Sequence, residues 1–366
     1  MRFVRTSELV KGMRLAKPIY NKTGVLLYDR DTKLTKQGIN SIKNFKLIGI
    51  YILEPVEPLP PMTEDDVEFE RFQTMSVFGL KEAMDSLMAG NKPVNLGGLV
   101  KMIVKNYAKR SNKVSVMQNV RSCDDYVYKH CLNVATLAAL MGARLRISVE
   151  DMKDIVTAAL VHDLGRLYID QEVVEKNVYT EDDLSYMARC EMRGNKLLQD
   201  SGYFNDNIKN MLQQKFELQK DPNIRATDSR YTQCGRILQI AEKYDDMTSM
   251  QIGVEPISDV IAVRELLGNM EIYDEKVVAA LIDSLKILHP GVCVELSNHH
   301  TGLVIRANTK NVLRPLILCF NDNQLYNFED ENVAAMLQIK DIMKTMDKRV
   351  KIDQATINEY MQRYNK

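Results

Sequence analysis

Val161-His162-Asp163-Leu164-Gly165-Arg166 ends an apolar run that starts just after Ser148. Ser148-Val149-Glu150-Asp151 offers a hydroxyl N-cap with an acid three residues on, the pattern that opens a helix. Ile155, Ala158, Ala159 and His162 then share one face, and Gly165 is expected to stop the helix. Consecutive helical side chains point about 100° apart, so His162 and Asp163 can meet one ion only over the helix end. Such an ion needs ligands from other helices.

Two further runs supply them. Asp124 to Leu145 reads as a helix with His130, Val134, Leu137, Met141 and Leu145 on one stripe. Ile237 to Met247 is an apolar helix that abruptly presents Glu242, Asp245 and Asp246. A lone histidine on an apolar face is usually a hydrogen-bonded core residue. Two imidazoles, an adjoining aspartate and a third, carboxylate-bearing helix make the stronger case for a metal. Neutral imidazoles and carboxylates suit a divalent ion that polarises a phosphoryl oxygen and acidifies a bound water.

With Asp125 to Val134, Ala158 to Arg166 and Ala241 to Met247 in that order, the chain resembles the HD superfamily of metal-dependent phosphohydrolases, and within it the HD-GYP branch associated with cyclic di-GMP hydrolysis. The resemblance implies a mainly α fold: an HD-type helical bundle with a small α+β module before it and a short β-rich segment after it. It implies metal ligands at His130, His162, Asp163 and Glu242, with Asp163 and Arg166 as the catalytic pair and Arg166 near phosphate. The plain alternative for Arg166 is a cation favoured by the helix C-terminal dipole.

The chain also departs from the branch. Where the family has His-Pro-x-x-Gly, Cys190-Glu191-Met192-Arg193-Gly194 stands, so Cys190 is at most a weak ligand. Where it has His-His-Glu and Asp-Gly-x-Gly-Tyr-Pro, Leu212 to Glu217 and Lys220 to Arg225 carry neither the paired histidines nor the signature triplet. A centre of two or three metals is thus expected to be dismantled, leaving one divalent ion (manganese, iron or zinc) or none. The expectation is a degenerate signalling protein, impaired in hydrolysis, that binds a cyclic dinucleotide or a protein partner; the alternative is an active metal-dependent phosphodiesterase.

Composition narrows the field. The chain has 366 residues, long enough for two or three units, with 27% charged and 45% apolar residues. Lys+Arg and Asp+Glu both number 49, so no net field favours a nucleic-acid polymer or an anionic membrane. No apolar stretch is long enough to span a bilayer and the charged start lacks a signal core, so the expected location is cytoplasmic. Six cysteines without a Cys-x-x-Cys pair read as reduced, buried thiols.

The expected layout follows the same signals. Residues 1–53 form the α+β module, with a hairpin about Asn21-Lys22-Thr23-Gly24, a helix from Thr35 to Phe45 and a strand from Gly49 to Leu53. Four prolines stiffen a linker over 54–62. Helices over 63–110 lead in, their Met75, Met84 and Met88 read as packing. Residues 111–290 are the helical HD unit, with Asp221 to Ser229 a polar loop. Residues 291–330 are strand-rich, and His299-His300 falls in a turn there, outside the helical core. The tail, 331–366, is expected to be helical and is where a homodimer could form.

Overall fold

A computed structural model of the protein describes residues 2–20, 25–45, 47–53, 64–109, 113–114, 121–176, 178–221, 223–251 and 254–342. In the amino-terminal module, strands β1 (Arg2–Arg5), β2 (Arg14–Leu15), β3 (Ile19–Tyr20) and β4 (Leu26–Tyr28) precede helix α1 (Lys36–Asn44) and strand β5 (Gly49–Leu53). β5 lies between β1 and β2, antiparallel to both, and β3 pairs with β4 as the hairpin pattern requires. The hairpin turn and the proline linker lie outside the described residues. The Thr35 side chain caps α1 by accepting from Gly38 N at 3.0 Å, and Ile42 packs on Val4, Leu15, Ile50 and Ile52.

This module is seated on the helical body. Ala16, Tyr51 and Leu53 bury against Met250, and Ile48 N donates to the Arg121 carbonyl at 3.0 Å.

The body runs α2 (Glu64–Met88), α3 (Leu96–Tyr107), α4 (Tyr126–Arg144), α5 (Val149–Val161), α6 (Gln171–Val174), α7 (Glu181–Asp200), α8 (Asp206–Lys220), α9 (Gln233–Thr248), α10 (Asp259–Gly268) and α11 (Glu275–Ser284). α4 is its axis, touched by α2, α3, α5, α9 and α11. It is buried all round from His130 to Gly142, as expected of a helix with apolar residues on every face. Ala135, Ala138 and Ala139 keep it thin enough for neighbours on all sides, while Leu132, Leu137, Leu140 and Met141 fill the gaps. Each such large side chain contributes about 1.5–3 kcal/mol on burial. The caps form as spaced: Ser148 accepts from Asp151 N, and Thr180 and Asp183 make a reciprocal capping box.

Two expectations fail here. Gly165 is not a left-handed stop; α5 ends at Val161 and a 3-10 turn, Leu164–Tyr168, continues the chain. The glycine instead permits contact with α7, since a Cβ on Gly165 would lie 2.6 Å from Glu191 Cα and one on Gly194 would lie 2.3 Å from Gly165 Cα. Met84 is buried as packing, but Met75 is 62% exposed and packs nothing comparable.

Beyond α11, strands β6 (Cys293–Leu296), β7 (Thr301–Arg306), β8 (Leu316–Cys319) and β9 (Leu325–Asn327) are followed by helix α12 (Glu331–Met336) and strand β10 (Ile339–Ile342). The antiparallel sheet has the order β10-β6-β7-β8-β9. The helical tail is therefore corrected for its described part: after the six residues of α12 the chain returns to the sheet. The free edge of β6 overrides local helix preference, with Lys340 on Glu295 at 2.7 Å and Arg264 donating to the Ile339 carbonyl. Residues 343–366 lie outside the described residues.

Candidate metal and phosphate site

His130 leaves α4 one turn from its start and is 1% exposed. Its Nδ1 lies 2.6 Å from Asp245 Oδ2 on α9. Asp245 is further held by Arg121 Nη2 at 2.7 and 2.9 Å, Asn133 Nδ2 at 2.8 Å and Ser249 Oγ at 2.7 Å. Burial would raise this carboxyl, but Arg121 and His130 hold it far below the usual range. An ionised Asp245 fixes a proton on His130 Nδ1 and aims Nε2 into the site.

His162 caps the end of α5 and donates from Nδ1 to the Ala159 carbonyl at 2.8 Å. Its Nε2 therefore carries a lone pair and faces His130 Nε2 at 3.2 Å. Burial, helped by Lys215 and His130, lowers its pKa to about 3, so the ring is a neutral ligand at physiological pH. Burial pulls His130 down as well, yet Asp245 beside it outweighs that and raises its pKa.

Asp163 follows and is 3% exposed. Its Oδ1 accepts from Lys215 Nζ on α8 at 2.8 Å, and its Oδ2 is 2.8 Å from Arg166 Nε and 3.4 Å from His130 Nε2. Arg166 is off the donor axis, so the buried Oδ2 has charge beside it but no hydrogen bond. Burial would raise Asp163, but Arg166 and Lys215 hold it well below the ordinary range. Lys215 reaches Glu242 Oε1 at 3.1 Å as well, and burial does not stop Asp163 and Glu242 from raising its pKa.

Ligand atoms of His130, His162, Asp163 and Glu242 all lie within 4.8 Å of one another. His130 Nε2 lies 3.2 Å from His162 Nε2 and 3.4 Å from Asp163 Oδ2, near the edge length expected for metal bonds of about 2.0–2.1 Å, while His162 Nε2 lies 3.6 Å from Asp163 Oδ1. Together with the undonated Oδ2, that face fits one divalent ion. On the other side Lys215 Nζ stands between Asp163 Oδ1 and Glu242 Oε1.

Other residues fall differently from their sequence reading. Arg166 is turned inward, donating from Nη1 to Tyr126 Oη at 2.7 Å and pairing with Asp163, so it is neither a free phosphate fork nor a simple helix-end charge. Cys190 is buried with its thiol 3.6 Å from the Tyr168 carbonyl, and the clustered ligand atoms do not include it. The neighbouring Glu191 faces the site, 3.9 Å from Arg166 Nε, with burial raising its pKa. In the β-rich segment His299 contacts Glu295 at 3.2 Å and His300 Nδ1 is 3.7 Å from Cys319 Sγ.

Sequence reasoning missed Lys215, Arg121 and the clamping role of Asp245. The last had a signal, three carboxylates in one short stretch; Lys215 and Arg121 had none of their own.

Beside Arg166 opens a cleft of about 800 Å³ between the helical body and the amino-terminal module. Tyr20 and Phe45 line it from the module, and Lys81, Tyr126, Lys129 and Arg166 from the body. No helix among the described residues is long and apolar enough to cross a membrane.

Residues 127–247 match the HD domain family. The cyclic di-GMP phosphodiesterase PA4108 of Pseudomonas aeruginosa is 19% identical over 225 residues, 61% of this chain and 54% of that protein, so the chain matches only about half of its relative's length. Bd1817, an HDG"Y"P protein from Bdellovibrio bacteriovorus, is 16% identical with a TM-score of 0.45, over 77% of this chain and 98% of that one.

Proposed function

We propose that this chain is an HD-domain protein of the HD-GYP branch, a signalling protein impaired in cyclic di-GMP hydrolysis that acts by binding a cyclic dinucleotide. The observation that carries the reading is the state of Asp163: both oxygens of this expected metal ligand lie 2.8 Å from protein cations, Lys215 and Arg166. A divalent ion on His130, His162 and Asp163 would supply Lewis-acid polarisation and an acidified water. The clamp that a second ion gives attacking and leaving oxygens has no place beside Lys215.

The chain's own residues favour binding. The cleft is of the size that encloses a small ligand. Tyr126 and Phe45 offer faces for bases, and Lys81 and Lys129 offer charge for phosphates. Arg166 is held by Asp163 and Tyr126, so it is a fixed wall of the cleft rather than a free arm.

Calorimetry with cyclic di-GMP, followed by a turnover assay under manganese and under iron, tests this. Heat of binding without conversion supports it. Robust hydrolysis that Asp163→Ala abolishes would establish the phosphodiesterase instead, and no heat at all would point to a protein partner.

A further inference from the structure

We infer that the Lys215 ammonium is the second cation of this centre, tethered to the chain where an ion would otherwise bridge Asp163 and Glu242. The inference rests on the non-hydrolytic reading and explains how a site built for several ions persists with at most one. Lys215 is 6% exposed, and a buried charge survives only when it is paired and hydrogen-bonded. Its Nζ meets three oxygens: Asp163 Oδ1 at 2.8 Å, Glu242 Oε1 at 3.1 Å and Gln219 Oε1 at 3.2 Å. An ammonium has three donors, so this is a complete oxygen shell around a point charge.

The geometry divides the centre. Asp163 Oδ1 faces the ammonium and lies 3.6 Å from His162 Nε2, while Oδ2, beside Arg166 Nε at 2.8 Å but accepting no hydrogen bond, faces His130 Nε2 at 3.4 Å. One carboxylate thus bridges two cation positions, as in a two-ion site. The first keeps two imidazoles; the second has become an amine. An imidazole with a metal–nitrogen bond of about 2.1 Å reaches roughly as far from the main chain as the four-carbon arm of lysine. Histidine at 215 would therefore put an ion about where Nζ now stands.

Manganese content of the full chain tests this, after chelator stripping, re-equilibration and gel filtration. Manganese is chosen because the six thiols compete for zinc but bind this harder ion poorly. Wild type is expected to hold one equivalent, lost in His130→Ala; Lys215→His two; and Lys215→Arg, which keeps the charge, one. Should Lys215→His fail to fold by circular dichroism, Lys215→Ala replaces it, with a melting temperature that manganese raises more than in wild type. A wild-type count other than one overturns the inference. So does a folded Lys215→His or Lys215→Ala that takes up no more ion, or gains no more stability from it, than wild type. None of these counts involves a dinucleotide, so cyclic di-GMP turnover by wild type would sink the functional reading without deciding the role of Lys215.

Discussion

The two halves of the site differ in what satisfies their carboxylates. On the α9 side Asp245 serves one imidazole, and Arg121, Asn133 and Ser249 complete its shell. That arrangement prepares His130 as a ligand. On the α8 side Asp163 and Glu242 share an ammonium, an arrangement that closes the place where a ligand or ion would enter. The same resource, buried negative charge, orients a donor in one half and is neutralised by the chain itself in the other. The lesson is that buried carboxylates can be balanced by the chain's own cations, as Lys215 balances Asp163 and Glu242, or spent on orienting a donor, as Asp245 orients His130.

This contrast can be broken from either side. The largest effect is expected from Asp245→Ala, which strands a guanidinium that is wholly buried; breaking such a pair costs about 3–5 kcal/mol, read by urea unfolding. A loss below about 1 kcal/mol would mean that Asp245 is not the anchor of that half. Next comes Gly194→Ala, whose Cβ would fall 2.3 Å from Gly165 Cα; overpacking of this kind costs about 1–3 kcal/mol and should push Asp163 and Arg166 out of place. Denaturant midpoints for the variant check it, and an unchanged midpoint would show that α7 can retreat freely.

Smaller still is the capping box at the start of α7. Thr180→Ala should cost about 1 kcal/mol in a denaturant titration. Its partner Asp183 is lowered to about 2, chiefly by Lys176 and then by Thr180. A carboxyl lowered on folding stabilises above its unfolded pKa of 3.8, and that contribution fades as pH falls from there towards about 2. Asp183→Asn should flatten the stability profile in that window and lower stability by a constant amount near neutrality, where the ionised carboxylate contributes in full.

The retained half of the site was legible and the closed half was not. His130, His162 and Asp163 sit on apolar helices at places where a polar residue needs a reason, so they announce themselves. Lys215 does not: in sequence it is one of three lysines on a polar helix, and only the packing of α8 against α5 and α9 buries it. Glu242 and Asp245 lie three residues apart on one face of α9, so spacing alone could not say which of them faces the ions and which supports His130. Gly165 misled because a glycine after a helix usually ends it; here the approach of α7 to within contact of its backbone is a tertiary demand. The tail misled for a similar reason, since local preference for helix yields to the hydrogen bonds offered by the edge of β6.

The most direct test of the central claim is a single-turnover experiment, with the protein in excess over cyclic di-GMP and saturated with manganese. The account predicts that the dinucleotide is bound and recovered intact after many hours. Conversion of the bound ligand to linear dinucleotide, lost on Asp163→Ala, would contradict it.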